Sequence, residues 1–193
     1  MRRICVFCGS SVGRNRKYAE MAAETGALLA RKGVELVYGG GSIGLMGVIA
    51  DTMLAAGGHV IGVIPRALAT RELTHTGLPD LRVVGSMHER KALMAELADA
   101  FLALPGGIGT FEEFLEVLTW AQLGMHRKPC GLLNVEGYFD HLMTFLDHAV
   151  AEGFFRAEHR GLVLDADDPE RLLERLASYR PPVLERWIDL ATT

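Results

Sequence analysis

No stretch of this 193-residue chain approaches the roughly 18 consecutive apolar residues of a membrane-spanning helix, so no membrane partner is expected. The opening MRRICVFCGSSVG sets two arginines before an apolar run too brief for a signal-peptide core. That run leads into Gly and Ser without a small-x-small cleavage site, and the expected location is the cytoplasm. Cysteine is scarce as well. Three in a chain of this length make no disulfide framework. Cys5 and Cys8 form a C-x-x-C, but only Cys130 remains to join them at a zinc ion. Residues three apart on a strand also face opposite ways, so the pair reads as buried strand cysteines. The seven histidines show no H-E-x-x-H or other paired ligand spacing, and no metal is expected. A net charge of −4 supplies no field to draw in nucleic acid. No G-x-x-x-x-G-K-[ST] occurs, which removes the P-loop NTPases.

What the chain has in quantity is apolar residue, 49% of the total, enough for one buried core. We read residues 1–180 as a single nucleotide-binding catalytic domain and 181–193 as a C-terminal tail. Short β-rich runs alternate with stretches of helical period. RICVFC, VELVY, HVIGVIP, LRVVG, DAFLAL and KPCGLLN read as strands, with GLVLDA as an edge strand. Helices are expected from Lys17 to Gly33, Gly44 to Gly58, His88 to Ala98, Thr110 to Gly124 and Tyr138 to Gly153. A last one follows Asp168, the expected N-cap, with Pro169 at its first position. Strands separated by helices of this length need crossover connections. These build a Rossmann-like, doubly wound α/β fold, a mostly parallel sheet with helices on both faces.

In such a sheet ligands sit beyond the carboxyl ends of the strands, and three of the loops there are rich in glycine or serine: CGSSVG, YGGGSIGLMG and LPGGIGT. The middle loop spells G-x-G-x-x-G with Gly39, Gly41 and Gly44. A dinucleotide site would need that motif after the first strand and an acidic residue at the end of the next strand, which here ends in Ile64 and Pro65. A tight turn that lets helix and sheet approach accounts for these glycines.

The third loop is the most specific signal. Pro105 ends a strand, Gly106, Gly107 and Gly109 permit close approach of a ligand to the backbone, and Thr110 is expected to open a helix. Free N–H groups at a helix start make a phosphate cradle. Thr110 and Glu113 also spell T-x-x-E, a capping box in which Glu113 would only return a hydrogen bond to the Thr110 N–H. Local pattern leaves capping and catalysis both open for Glu113.

LPGGIGTFEEFLEVLTWAQLG, taken with SMHERKALM and GGGSIGLMG, closely resembles the LONELY GUY family, the cytokinin riboside 5'-monophosphate phosphoribohydrolases once mislabelled as lysine decarboxylases. The resemblance runs from about Ile4 to about Tyr179 and meets P-G-G-x-G-T-x-x-E and M-H-x-R-K in full. It implies a homodimer that cleaves the N-glycosidic bond of an N6-modified adenosine 5'-monophosphate without a cofactor, releasing base and ribose 5-phosphate. By motif position it implies Arg90 and Glu113 as the catalytic pair. It further implies Glu72, Lys91, Gly106, Gly107, Gly109, Thr110, Glu112 and Thr119 as substrate contacts. A nucleosidase acting on plain AMP and a non-catalytic nucleotide or molybdenum-cofactor carrier on the same framework remain the alternatives. None of the four lysines sits in a context that marks a pyridoxal Schiff base.

Overall fold

The computed structural model describes residues 1–69 and 74–182. Seven strands form one parallel sheet: β1 (Arg3–Phe7), β2 (Glu35–Tyr38), β3 (Val60–Pro65), β4 (Asp80–Val84), β5 (Ala100–Ala103), β6 (Cys130–Leu133) and β7 (Val163–Ala166). Their order across the sheet is β4-β3-β2-β1-β5-β6-β7, so β7 is an edge strand as its sequence indicated. The helices are α1 (Arg16–Arg31), α2 (Gly44–Ala55), α3 (Met87–Leu97), α4 (Ile108–Gln122), α5 (Asp140–Ala151), the single turn α6 (Ala157–Arg160) and α7 (Pro169–Ser178). No helix among the described residues is long and apolar enough to cross a membrane.

The inner strands are covered on both faces, which is why they read as nearly continuous apolar runs, whereas the edge strand β4 is only partly buried. Along β1 the side chains alternate: Ile4 and Val6 join Leu29, Ile49 and Leu172 from α1, α2 and α7 on one face. Cys5 and Phe7 join Met94 and Phe114 from α3 and α4 on the other. Cys8 belongs with the first set, so the two cysteines point to opposite faces, and both are buried. Burial pushes each thiol well above its ordinary pKa, which keeps it neutral.

Helix ends follow local chemistry. The side chain of Asp168 accepts the Arg171 N–H at 2.9 Å ahead of Pro169, as expected. Ser86 and Glu89 cap the start of α3: the Ser86 hydroxyl accepts from the Glu89 N–H at 3.1 Å, and the Glu89 carboxylate accepts from the Gly85 N–H at 2.7 Å. SMHE thus carries a variant of the S-x-x-E capping box, in which the glutamate takes the N–H one residue ahead of the N-cap. The T-x-x-E of α4 is different. That helix starts at Ile108, two residues before the expected opener, and its N-cap is Gly107 with no side-chain cap. Thr110 is therefore buried in the first turn and no Thr110–Glu113 box forms.

The chain order reverses between β1 and β5. Strands β2 to β4 lie to one side of β1 and β5 to β7 to the other, so the loops that leave β1 and β5 diverge and open a crevice.

Candidate active site

Three connected cavities occupy that crevice, each about 300 Å³. Ser10, in the loop after β1, lines all three. The central one lies between Cys8, Gly9 and Ser10, the first turn of α4 from Gly107 to Thr110, and the side chains of Arg90, Glu112 and Glu113. A second, walled by Ile43, Met46, Ile64 and Leu68, shares Met46 and Arg90 with it. The third lies beyond the Pro105–Gly107 backbone, against Tyr18 and Tyr138.

The start of α4 presents unpaired backbone donors to the central cavity. The first helical bond runs from the Phe111 N–H to the Gly107 carbonyl, which leaves the N–H groups of Ile108, Gly109 and Thr110 without helical acceptors at the positive end of the dipole. A Cβ on Gly107 or Gly109 would meet no atom within 4 Å, so these two leave space in front of those donors. Gly106 works inward instead: a Cβ there would stand 2.1 Å from the Thr110 hydroxyl oxygen.

Arg90 and Glu113 meet at 3.3 Å, each side chain 12% exposed. Arg90 reaches the pair across the carboxyl ends of β2 and β3. Its Nε donates to the Val63 carbonyl at 3.1 Å and its Nη2 to the Gly39 carbonyl at 3.5 Å. The guanidinium lies so close over Gly39 that a Cβ there would stand 2.1 Å from Nη2. That contact gives the first glycine of the G-x-G-x-x-G a purpose unrelated to dinucleotides. Burial raises the Glu113 pKa, opposed by the Arg90 charge, and leaves a carboxylate more basic than an exposed one. Cys8 adds a neutral thiol to the wall of the same cavity.

The other expected substrate contacts divide. Gly107, Gly109, Thr110 and Glu112 line the central cavity, and Gly106 lies at its rear. Lys91 is turned to α4, with its ammonium 2.5 Å from Glu112 and 2.9 Å from Glu116, and these carboxylates hold its pKa above the usual lysine value. Thr119 sits on the exposed side of α4 and donates to the Leu115 carbonyl at 2.7 Å. Neither lines the crevice among the described residues. Glu72 lies outside the described residues. Met46, Ile43 and Ile64 had no signal beyond core hydrophobicity, and Ser10 none beyond its place in a strand-to-helix loop.

The four lysines also bear on decarboxylase chemistry. Lys17 pairs with Glu20, Lys32 with Glu170, Lys91 as above, and the Lys128 ammonium donates to the Ala95 carbonyl. None faces the crevice, where a Schiff-base lysine would have to stand.

A family model described as "Possible lysine decarboxylase" matches residues 46–176. The chain is similar to the probable cytokinin riboside 5'-monophosphate phosphoribohydrolase LOGL9 of Oryza sativa subsp. japonica, 56% identical over 180 residues, 93% of this chain and 79% of that one. It is 53% identical to the enzyme LOG of the same plant, over 93% of this chain and 74% of the relative. To LOG7 of Arabidopsis thaliana it is 52% identical, over 93% and 83%. Among solved structures, a molybdenum cofactor carrier protein from Chlamydomonas reinhardtii superposes with a TM-score of 0.69 at 24% identity, covering 92% of this chain and 99% of that one. That likeness is one of fold.

Proposed function

Since the chain belongs to the LONELY GUY family of cytokinin riboside 5'-monophosphate phosphoribohydrolases, we propose that it hydrolyses the N-glycosidic bond of N6-modified adenosine 5'-monophosphates, releasing free base and ribose 5-phosphate. The observation that carries the site assignment is the Arg90–Glu113 pair, held between an anion cradle on one side and an apolar pocket on the other.

The 5'-phosphate sits at the N–H groups of Ile108, Gly109 and Thr110. This puts the ribose over Glu113 and the base beyond Arg90, the one charged side chain shared by the central cavity and the apolar pocket among the described residues. An N6 substituent then meets Ile43, Ile64 and Leu68, walls that give plain AMP no added contact. Cleavage passes through an oxocarbenium-like state: the C1'–N9 bond breaks, its electron pair leaves with the purine, and a water oxygen bonds to C1'. Glu113 stabilises the positive charge at C1' and takes the proton of the attacking water. Arg90 faces the purine as it gains charge, a task for a guanidinium that stays protonated and is fixed by two carbonyls.

The active assembly in this reading is a homodimer. Helix α5 supports it: Leu142, Met143 and Leu146 pack against the core cluster on that face, while Phe145 stays 64% exposed. The reaction is tested by incubating the protein with isopentenyl-AMP, AMP and isopentenyladenosine and separating free base by chromatography. Release from isopentenyl-AMP well above the other two is expected. Equal release from the nucleoside would remove the phosphate cradle from the account, and preference for AMP would remove the apolar pocket.

A further inference from the structure

The segment GLLNVEGYFD is read from sequence as the end of a strand and the start of a helix, and in the structure it does something more. Strand β6 lies beside β5, so the loop leaving β6 arrives next to the loop that carries Pro105, Gly106 and Gly107. Asn134 shapes this loop: its Oδ1 accepts the Phe139 N–H at 2.7 Å and its Nδ2 donates to Asp140 at 2.7 Å. The turn between them places Glu136 at φ 52°, a left-handed conformation that non-glycine residues rarely adopt. Out of this turn comes Tyr138, with its ring edge-on to Tyr18 and Phe139 and its hydroxyl donating to the Gly106 carbonyl at 2.5 Å.

That carbonyl belongs to the anion-binding loop. In a planar trans peptide the C=O and the following N–H point in opposite directions. Holding the Gly106 carbonyl toward Tyr138 therefore turns the Gly107 N–H away from it. Tyr138 and Gly106 line only the rear cavity, whereas Gly107 also lines the one that contains Arg90 and Glu113. The preceding peptide is fixed in the same manner, by the Gly9 N–H donating to the Pro105 carbonyl at 3.1 Å. Glycines at 106 and 107 have little rotational preference of their own, so both orientations depend on these outside partners.

We propose that Tyr138 is a positioning residue for the 5'-phosphate: its hydroxyl fixes the Gly106–Gly107 peptide with the N–H toward the ligand. The inference rests on the reading of the α4 start as the phosphate site. Tyr138→Phe keeps the ring and its edge contacts and removes only the hydroxyl. Steady-state kinetics on isopentenyl-AMP should show KM raised about three- to tenfold, the range for one lost hydrogen bond, with kcat within twofold. Competitive inhibition by ribose 5-phosphate should weaken by the same factor, while inhibition by free isopentenyladenine stays unchanged. Unaltered KM and ribose 5-phosphate inhibition would overturn the proposal. So would equal weakening of both inhibitors, the mark of a general loosening, or a fall in kcat alone. If ribose 5-phosphate failed to compete even in the wild-type protein, the phosphate site itself would be misplaced and Tyr138 would lose its role with it.

Discussion

Replacement of Glu113 by Gln separates charge from shape. Gln has the same size, and no capping bond is at stake, because the N-cap of α4 is Gly107 and its side-chain cap is absent. Arg90 keeps its bonds to the Val63 and Gly39 carbonyls when the carboxylate is neutralised. The side chain is 12% exposed, so its charge is poorly solvated, and burial outweighs Arg90 in setting its pKa. Loss of that charge should leave the melting temperature within a few degrees of wild type. Turnover should instead fall on the order of 100-fold or more, about 2.7 kcal/mol of lost transition-state stabilisation, as for removal of a positioned base or an electrostatic partner. The assay is base release from isopentenyl-AMP at saturating substrate, with thermal unfolding in parallel. Glu112→Gln is the control, since that carboxylate is half exposed and bound to Lys91. Near-normal turnover in Glu113→Gln, or a larger loss in Glu112→Gln, would refute the assignment.

The raised Glu113 pKa has a pH consequence. In the proposed reaction Glu113 acts as the anion, so kcat should drop as pH falls through a pKa above the ordinary glutamate range, and this acid limb should vanish from the residual activity of Glu113→Gln. Arg90→Ala should abolish turnover and still fold, because it removes a side chain that bridges loops at the crevice and is not packed in the core; retained turnover at saturating substrate would place its role elsewhere. Gly107→Ala should fold yet raise KM for the nucleotide, whereas Gly106→Ala should unfold several degrees earlier, since only its Cβ meets Thr110; thermal scans and KM values separate the two. Light scattering should give a dimer, shifted toward monomer by Phe145→Asp, and a monomer in the unaltered protein at micromolar concentration would remove the dimer from the proposal.

Sequence alone gave away the order of the strands and longer helices, because strand and helix periods are local, while the single turn α6 was too short to show one. The apolar runs of β1 and β5 announced a sheet covered on both faces, and Asp168–Pro169 announced a helix start. It also determined that a glycine loop and a carboxylate would stand together, since Gly107 and Glu113 are separated by less than two turns of one helix. What it left open was which of two jobs Glu113 performs. Capping depends on where α4 begins, and it begins at Ile108, with Thr110 buried in its first turn against Gly106, a contact that local pattern does not contain. The tertiary structure likewise decided the Arg90–Glu113 pair, the turning of Lys91 to Glu112 and Glu116, and the reach of Tyr138 to Gly106, 32 residues away. These contacts join helices and loops that follow different strands. They exist because β5 pairs with β1 and β6 with β5, an order that non-local burial selects and that no period along the chain encodes.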